Sequence, residues 1–392
     1  MTNQDTPPST HYQLIDNSQA LEAACQQAAK HNLLALDTEF IRRDTYYPIL
    51  ALIQITWPDN ETPCLIDPLA IKDLSPLLEL LATPHIIKVL HAGSEDLEIF
   101  YHLIGTHITP VFDTQLANTC IGGQSQVGYA NLVKSLFDTD LNSEQTCSNW
   151  QHRPLTADQC AYAALDVCYL LPMYHHFKQL IDQAQRNHWL VEEQGYLQQR
   201  ITDGLSAELT YMKVRQHWRL PPDKLNTLKT LCIWREQTAQ QENRPRKRVL
   251  DDEALFDLAQ LNSATSNQLA KLKSLSPRKI KRYQDEWSTL IEPPQKTGES
   301  EKTRLPVKSP LAKQHQELLK PIKKLIQDKA TQLGIQPEFL MGKRFINDLL
   351  RVTITHPDTS INDWPKHLTG WRHQTIVQPI QAWLEENHAS LR

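Results

Sequence analysis

The sequence predicts a mixed α/β domain that is followed by two small, entirely helical domains. Over the first 150 residues, strand-like runs alternate with helix-like runs. Three adjacent strand candidates followed by such alternation are typical of a mixed sheet with helices packed on it. From Thr156 onward the hydrophobic pattern is almost wholly helical.

The elements of the α/β part follow from hydrophobic period and from flanking turn residues. The strand candidates, in chain order, are YQLID, LLALDTEF, ILALIQITW, CLID and IIKVL. The helix candidates are SQALEAACQQAA, LSPLLELLA and GSEDLEIFYHLI.

Domain boundaries are predicted from composition and charge. Residues 293–306 are polar, contain three prolines and have no hydrophobic period, so they are predicted to be a linker. A softer boundary near residue 205 is predicted because the charge changes sign there. The expected division is an α/β domain over 1–205, a helical domain over 206–292 and a second helical domain over 307–392.

The charge of the two halves differs strongly. Residues 1–200 carry 10 basic and 23 acidic residues, whereas residues 201–392 carry 31 and 22. This asymmetry favours an acidic, metal-binding part joined to a basic part that grips a polyanion. The alternative is a chance distribution of surface charge.

Composition also bears on the compartment. The sequence has no apolar run of about 18 residues and no apolar signal core near its start, so no membrane association is expected. Seven scattered cysteines without a C-x-x-C pair indicate a reducing compartment, and a cytoplasmic protein is expected.

The strand LLALDTEF ends in two carboxylates. Side chains alternate along a strand, so Asp37 and Glu39 are predicted to point the same way. At ~4 Å and an effective dielectric constant of about 20, two such charges repel by roughly 4 kcal/mol. A cation between them, or solvent around a wet strand end, would relieve this repulsion.

Two later segments add carboxylates. In HAGSEDLEIF, Ser94 is predicted to be an N-cap, which places Asp96 in the first turn of a helix. Such an acidic residue also complements the helix dipole without any function.

The third carboxylate segment is a late helix. Residues 156–159 have capping-box spacing, and the run CAYAALDVCYLL after them has Asp166 as its only charged residue. Tyr162 lies four residues earlier, on the same helical face. A lone carboxylate in an apolar helix indicates a metal site or a Tyr–Asp contact within the core.

These segments carry a resemblance to a known family. DTEF, the helix-start aspartate after HAGSED, and Y-x-x-x-D on a late helix resemble the three exonuclease motifs of the DEDD superfamily, in its DEDDy branch. FIRRDTYYPILALIQI, LIDPL and RPLTADQCAYAALDVCYLL are similar to the ribonuclease D family, and this similarity covers most of residues 11–205. Residues 231–255 resemble the helicase-and-RNase-D C-terminal (HRDC) domain, and 307–392, including LTGWR, resemble the last ribonuclease D domain more faintly.

The resemblance implies a fold and a reaction. The implied fold is a ribonuclease H-like mixed sheet with helices on both faces. Asp37, Glu39, Asp96 and Asp166 would bind two divalent ions, Mg²⁺ or Mn²⁺, and Tyr162 would orient the attacking water or accept its proton. The implied reaction removes nucleotides one at a time from RNA 3′ ends and releases 5′-monophosphates.

The resemblance also implies a partner: RNA with a free 3′-OH, such as tRNA precursors and other structured RNAs, bound by a monomer. Two alternatives stay open, an exonuclease that acts on DNA and a catalytically silent RNA-binding protein on the same fold.

Other side chains are candidates for contact with nucleic acid. His91 precedes the Asp96 motif, and a satisfied structural role is its alternative. The basic run at 244–248 is either a phosphate contact or a charged loop; its candidate residues are Arg244, Arg246, Lys247 and Arg248. The sequence departs from the family at Ser143 and Asn149, where the family usually has Lys and Asp, so a substrate contact at the rim is expected to differ.

Overall fold

The computed structural model describes residues 11–142, 144–146, 148–291, 309–355 and 360–387. The predicted linker over 293–306 and residue Ser143 lie outside the described residues.

Within the described residues, six strands form one sheet in the order β1-β4-β3-β2-β5-β6. The strands are β1 Gln13–Ile15, β2 Leu33–Ile41, β3 Ile49–Thr56, β4 Cys64–Ile66, β5 Ile87–Leu90 and β6 Val111–Asp113. The pairs β1–β4, β2–β5 and β5–β6 are parallel, and β3–β4 is antiparallel. The predicted mixed sheet is therefore confirmed, with β2 near its centre.

The helices account for most of the remaining chain. In the first 205 residues they are α1 Ser18–Ala28, α2 Ser75–Ala82, α3 Ser94–Ile104, α4 Thr114–Cys120, α5 Tyr129–Phe137, α6 Ala157–Cys168, α7 Leu170–Gln183 and α8 Asn187–Leu205. Those that follow are α9 Pro222–Gln241, α10 Arg246–Val249, α11 Asp252–Gln260, α12 Ser266–Leu269, α13 Pro277–Leu290, α14 Lys313–Glu317, α15 Leu319–Leu333, α16 Pro337–Met341, α17 Lys343–Leu350, α18 Gly370–Arg372 and α19 Gln378–Asn387.

Short turns of other helix types connect these elements. Turns of 3₁₀ helix cover Ala207–Lys213, His217–Arg219, Ile361–Asp363 and Lys366–Leu368, and turns of π-helix cover Arg351–Thr355 and His373–Val377. None of the helices in the described ranges has the length and apolar character that a bilayer crossing requires.

The described chain divides into two compact units. The first contains the residues up to 41, residues 50–199 and those from 311 onward; the second contains residues 42–49 and 200–310. The division into domains at residues 205, 292 and 307 stays a prediction.

The first unit has a core that the sheet and the C-terminal helices share. Strand residues such as Val89 belong to the same buried apolar cluster as Ile322 of α15 and Trp371. A buried ion pair reinforces this packing, because Arg372 binds Glu193 of α8 while it also donates to two carbonyl oxygens at the end of α16. The indole N–H of Trp371 donates to the same glutamate at 2.9 Å. The C-terminal helices therefore complete the core of the unit that contains the sheet.

The second unit buries the segment that follows DTEF. Tyr46 is 5% exposed and packs in the core formed by α9 and its neighbours. Its hydroxyl donates to Glu236, and Arg246 binds both carboxylate oxygens of that glutamate at 2.5 and 2.6 Å. The backbone N–H groups of residues 46 and 47 both donate to the side chain of Asn243 at 3.1 Å.

Candidate active site

Strand β2 supplies the first two carboxylates. Its first four residues, 33–36, are buried, as expected for a strand near the centre of the sheet. Asp37 and Glu39 are half-buried, whereas Thr38 between them is 6% exposed. This alternation agrees with the prediction that both carboxylates project from one face of the strand.

The third carboxylate comes from the first turn of α3. Strand β5 pairs with β2 and leads into α3 through a short turn, so the start of α3 lies close to the end of β2. Asp96 is 7% exposed and accepts a hydrogen bond from the hydroxyl of Thr38. The hydroxyl of the residue between Asp37 and Glu39 therefore ties Asp96 to strand β2.

The start of α3 differs from the prediction in one respect. Ser94 is wrong as an N-cap, because the helix begins at Ser94 and Gly93 occupies the cap position without a side-chain hydrogen bond. The carboxylate of Asp113, at the end of β6, instead accepts hydrogen bonds from the N–H groups of Ala92 and Gly93, just before the helix. Asp96 lies in the first turn, as predicted.

Helix α6 supplies the fourth carboxylate and the tyrosine. The predicted capping box is present, with Thr156 and Gln159 bonded reciprocally at 3.0 and 3.1 Å. Tyr162 and Asp166 share one face of the helix, and the nearby phenol lowers the pKa of the carboxyl against the larger effect of burial. The same phenol oxygen lies 3.3 Å from the hydroxyl of Thr146.

One open pocket brings these groups together. It contains about 570 Å³ of space. Its lining is Asp37, Thr38, Glu39, His91, Tyr129, Tyr162, Asp166 and Leu170. Asp96 joins this set through its hydrogen bond to Thr38.

The carboxylates raise one another's pKa. Burial, together with the charges of Asp96, Asp166 and Glu39, raises the pKa of Asp37 well above its usual range. Burial and the charges of Asp166 and Asp96 raise the pKa of Glu39 to about 9. Burial raises the pKa of Asp166 to about 7 and that of Asp96 to about 6. Without a cation these carboxyls therefore tend to keep their protons, and a bound cation would favour their ionised forms.

Three family profiles match the chain. A 3′–5′ exonuclease profile matches residues 12–182, an HRDC domain profile matches 224–291, and a profile for the C-terminal HRDC domain of ribonuclease D matches 314–380. Ribonuclease D of Pseudomonas paraeruginosa is 37% identical over 374 residues, which cover 95% of this chain and 97% of that protein. The Escherichia coli enzyme is 32% identical over 96% of this chain and 99% of that protein.

The chain belongs to the ribonuclease D family. The crystal structure of Escherichia coli RNase D, described as an exoribonuclease involved in structured RNA processing, matches with a TM-score of 0.83 and 31% identity. That match covers 96% of this chain and 99% of the Escherichia coli chain. The protein is thus a hydrolase, a 3′→5′ exoribonuclease, and the fold predicted for the family is confirmed.

The donor chemistry of this ribonuclease D pocket fits divalent metal ions. All four acidic groups offer oxygen ligands, which suit Mg²⁺ or Mn²⁺ rather than zinc. In the described residues, no three or more His, Cys, Asp or Glu side chains form a ready-made metal site. Binding of a metal ion would therefore require these carboxylates to draw closer together.

The stability of the metal-free enzyme is expected to fall as pH rises from about 5 to about 9. In the unfolded chain, Asp and Glu carboxyls ionise near pH 4. In the fold, Asp166 holds its proton to about pH 7 and Glu39 to about pH 9. The folded state therefore binds more protons over this interval, and its stability falls with increasing pH. Thermal unfolding in EDTA at pH 5, 7 and 9 measures the slope of melting temperature against pH.

Two comparisons test the origin of that slope. Mg²⁺ should raise the melting temperature most at high pH, because it binds the ionised carboxylates. The Asp166→Asn variant should have a shallower slope in EDTA than the wild type. Identical slopes in the two proteins would show that the carboxylate cluster is not responsible.

His91 lies in the pocket wall with both ring nitrogens engaged. One nitrogen is 2.9 Å from the hydroxyl of Thr114 and the other is 2.9 Å from the carbonyl oxygen of Val127. Its ring meets Tyr129 edge to face at 5.6 Å, and burial lowers its pKa. These contacts favour the structural alternative, and a contact with nucleic acid stays a prediction.

The basic run at 244–248 belongs to the second unit and does not line the pocket. Arg246 is committed to Glu236, and Arg244 pairs with Glu242 at 2.9 Å. Arg248 is exposed and pairs with Asp44, and Lys247 is also exposed. Phosphate contact by these residues stays a prediction, and the geometry favours the two exposed ones.

Of the two positions that depart from the family, Ser143 lies outside the described residues, and Asn149 is exposed, with its side chain accepting a hydrogen bond from the N–H of Gln151 at 3.2 Å. Asn149 is not among the residues that line the pocket.

The sequence did not predict three residues that hold the carboxylate-bearing segments in place. Tyr129 lines the pocket and donates to the carbonyl of Leu165 at 2.9 Å, next to Asp166. Asp113 and Thr38 were likewise not predicted to serve the site. The run VFDT at 111–114, an aspartate directly before a helix, was the available signal for Asp113.

Proposed function

We propose that this exoribonuclease removes nucleotides one at a time from RNA 3′ ends by a two-metal mechanism and releases nucleoside 5′-monophosphates. The observation that supports this most strongly is the convergence of three distant segments. Asp37, Glu39, Tyr162 and Asp166 line one pocket, and Asp96 bonds to Thr38 of the same lining and is close enough for its charge to act on Asp37 and Glu39.

The proposed ligand sets are those that the resemblance to the DEDDy exonucleases implies. Asp37, Glu39 and Asp166 would hold one ion, and Asp37 with Asp96 would hold the second, directly or through water. Bound together, two such ions activate the attacking water and stabilise the leaving oxygen of an in-line displacement.

The other residues position these groups. Thr38 donates to Asp96 and fixes the rotamer of that carboxylate. The phenol of Tyr162 lies beside Asp166 and lines the pocket, where it would orient the attacking water. Tyr129 holds the last turn of α6 by its bonds to the carbonyl of Leu165 and the N–H of Tyr169. The reacting groups thus have fixed directions before substrate binds.

Structured RNAs such as tRNA precursors are the proposed substrates. The support is the similarity to the Escherichia coli protein, which is described as involved in structured RNA processing. End-labelled RNA and DNA strands of one sequence, each with Mg²⁺ or EDTA, test this proposal. Stepwise shortening of RNA alone, and only with Mg²⁺, is expected. Equal shortening of DNA would indicate a general exonuclease, and no shortening of either would indicate an RNA-binding protein.

The enzyme should require a free 3′-OH. A circular RNA is expected to survive under conditions that digest its linear form, and a linear RNA with a 3′-phosphate should be cut poorly. Both results are expected because an exonuclease pocket receives a chain end. A circle has no end, and a 3′-phosphate changes the end that the pocket must receive. Gel electrophoresis of the three RNAs at matched concentrations measures this. Cleavage of the circle at a rate close to that of the linear form would contradict the proposal and indicate an endonuclease.

The basic second unit is proposed to attract RNA. Replacing exposed Lys247 and Arg248 with serine should flatten the dependence of log affinity on log salt by roughly 0.7 for each phosphate that these side chains neutralise. Binding of a tRNA is titrated in an Asp37→Asn background to prevent digestion. The control replaces Lys30 and Lys72, two exposed lysines of the first unit. Equal slopes of log affinity against log salt for the two double variants would show that residues other than Lys247 and Arg248 attract the RNA.

A further inference from the structure

Asp113 is a buried carboxylate that the proposed mechanism does not use. It ends strand β6 and is 4% exposed. Its Oδ1 accepts from the N–H groups of Gln115 at 2.9 Å, Leu116 at 3.2 Å and Ala92 at 3.2 Å. Its Oδ2 accepts from the N–H of Gly93 at 3.0 Å. One side chain thus satisfies four backbone donors on two separate segments.

The four bonds have two purposes. Those from residues 115 and 116 form an ordinary N-cap for α4. Those from residues 92 and 93 cross to the turn between β5 and α3. In that turn Ala92 has φ +53°, a left-handed conformation that an alanine adopts rarely. A turn in this conformation needs support from its surroundings, and the Asp113 carboxylate supplies it.

The supported turn determines where Asp96 lies. Gly93 is the cap position of α3 and has no side-chain cap, and the two bonds to Asp113 anchor the turn that leads into this end of the helix. Asp96 follows in the first turn, and Thr38 holds its carboxylate from strand β2.

We infer that Asp113 is a positioning residue that sets the direction of Asp96 through the turn at 92–93, and thereby the affinity of the pocket for its divalent cation. This inference rests on the proposed function, because it assumes that Asp96 serves the metal site. Outer partners of this kind typically change metal affinity or activity by about 10- to 100-fold when they are removed.

The Asp113→Asn variant separates the two purposes. An asparagine has one carbonyl oxygen, which is expected to occupy the Oδ1 position because three N–H groups point there. Its NH₂ group would then face the N–H of Gly93, and two donors cannot bond. The cap of α4 is kept and the bond to Gly93 is broken. Asp251→Asn is the matched control, since Asp251 caps α11 through a single bond to Ala254 at 2.9 Å.

Three measurements on the full chain test the inference. In Asp113→Asn, the Gly93 amide should lose protection from hydrogen exchange while the Leu116 amide keeps it. Binding of Mn²⁺ alone, measured by calorimetry, should weaken by about 10- to 100-fold. On RNA, kcat should fall by a similar factor with KM nearly unchanged, and Asp251→Asn should match the wild type in all three.

The outcomes are distinguishable. Unchanged Mn²⁺ affinity and kcat in a variant that has lost the Gly93 protection would overturn the inference and leave the proposed function intact. A wild type that binds Mn²⁺ but digests no RNA would refute the proposed function, and the Mn²⁺ and exchange results would still decide the role of Asp113. Should Asp113→Asn not fold, Asp113→Ser, whose hydroxyl can cap α4 but is too short to reach Gly93, is scored by the same criteria.

Discussion

Replacing Asp37 with asparagine is expected to reduce the release of nucleotides from RNA by at least about 10³-fold. Asp37 interacts with each of the other three carboxylates and belongs to both proposed ligand sets. Metal ions in such sites contribute several kcal/mol to the stabilisation of the transition state, and each 1.36 kcal/mol corresponds to a factor of ten in rate. Single-turnover digestion of a labelled RNA with saturating Mg²⁺ measures the loss.

The same variant should remain folded. Asparagine keeps the size of the side chain and removes one member of a mutually repelling cluster, so the metal-free protein should be at least as stable at neutral pH. Asp158→Asn is the control, because Asp158 is an exposed aspartate in the first turn of α6. An Asp37→Asn protein that keeps a tenth of the wild-type rate would rule out the proposed metal site.

Much of the site could be predicted from short-range patterns. The placement of Asp37 and Glu39 follows from strand alternation, and that of Tyr162 and Asp166 follows from the helical period. Both patterns act over a few residues, so a single sequence displays them. The pairing of residues 156 and 159 was predicted for the same reason.

The rest of the site depends on contacts between distant residues. The bond from Thr38 to Asp96 spans 58 positions, and the bonds from Asp113 to the turn span about twenty. Strand β6 has only three residues, too few for a hydrophobic period, so the position of its last residue could not be predicted. The N-cap at Ser94 was wrong because a carboxylate from another strand replaces the local cap.

The helical half shows the same limit. LTGWR marks a similarity in the sequence, but the sequence does not reveal that Arg372 pairs with Glu193, 179 positions earlier. Nor does it reveal that Tyr46, which follows strand β2, is buried against Glu236 of α9. The hydrophobic period of an amphipathic helix shows which face is buried, but it does not show which part of the protein that face packs against.

Replacing Tyr162 with phenylalanine is expected to slow hydrolysis by about 10²–10⁴-fold, the usual contribution of a positioned proton-handling group. The change removes only the hydroxyl, which lies beside Asp166 and 3.3 Å from the hydroxyl of Thr146. The ring stays beside that of Trp150, with 6.0 Å between the ring centroids, so helix α6 should keep its position. Burial and the charge of Asp166 raise the pKa of the phenol, which keeps its proton at neutral pH in the metal-free pocket. Rapid-quench measurement of the first nucleotide released gives kcat directly.

The matched control and a binding measurement separate a role in chemistry from a role in folding. Tyr174→Phe alters another tyrosine of the same unit, whose ring packs edge to face on Phe112 at 4.8 Å, and it should leave the rate unchanged. Affinity for Mn²⁺ should stay within about twofold of the wild type in Tyr162→Phe, because a phenol is not among the preferred ligands of these ions. A normal rate in this variant would exclude the water-orienting role. A loss of rate that is matched by an equal loss of Mn²⁺ affinity would show instead that the hydroxyl acts by holding Asp166 in its ligand position.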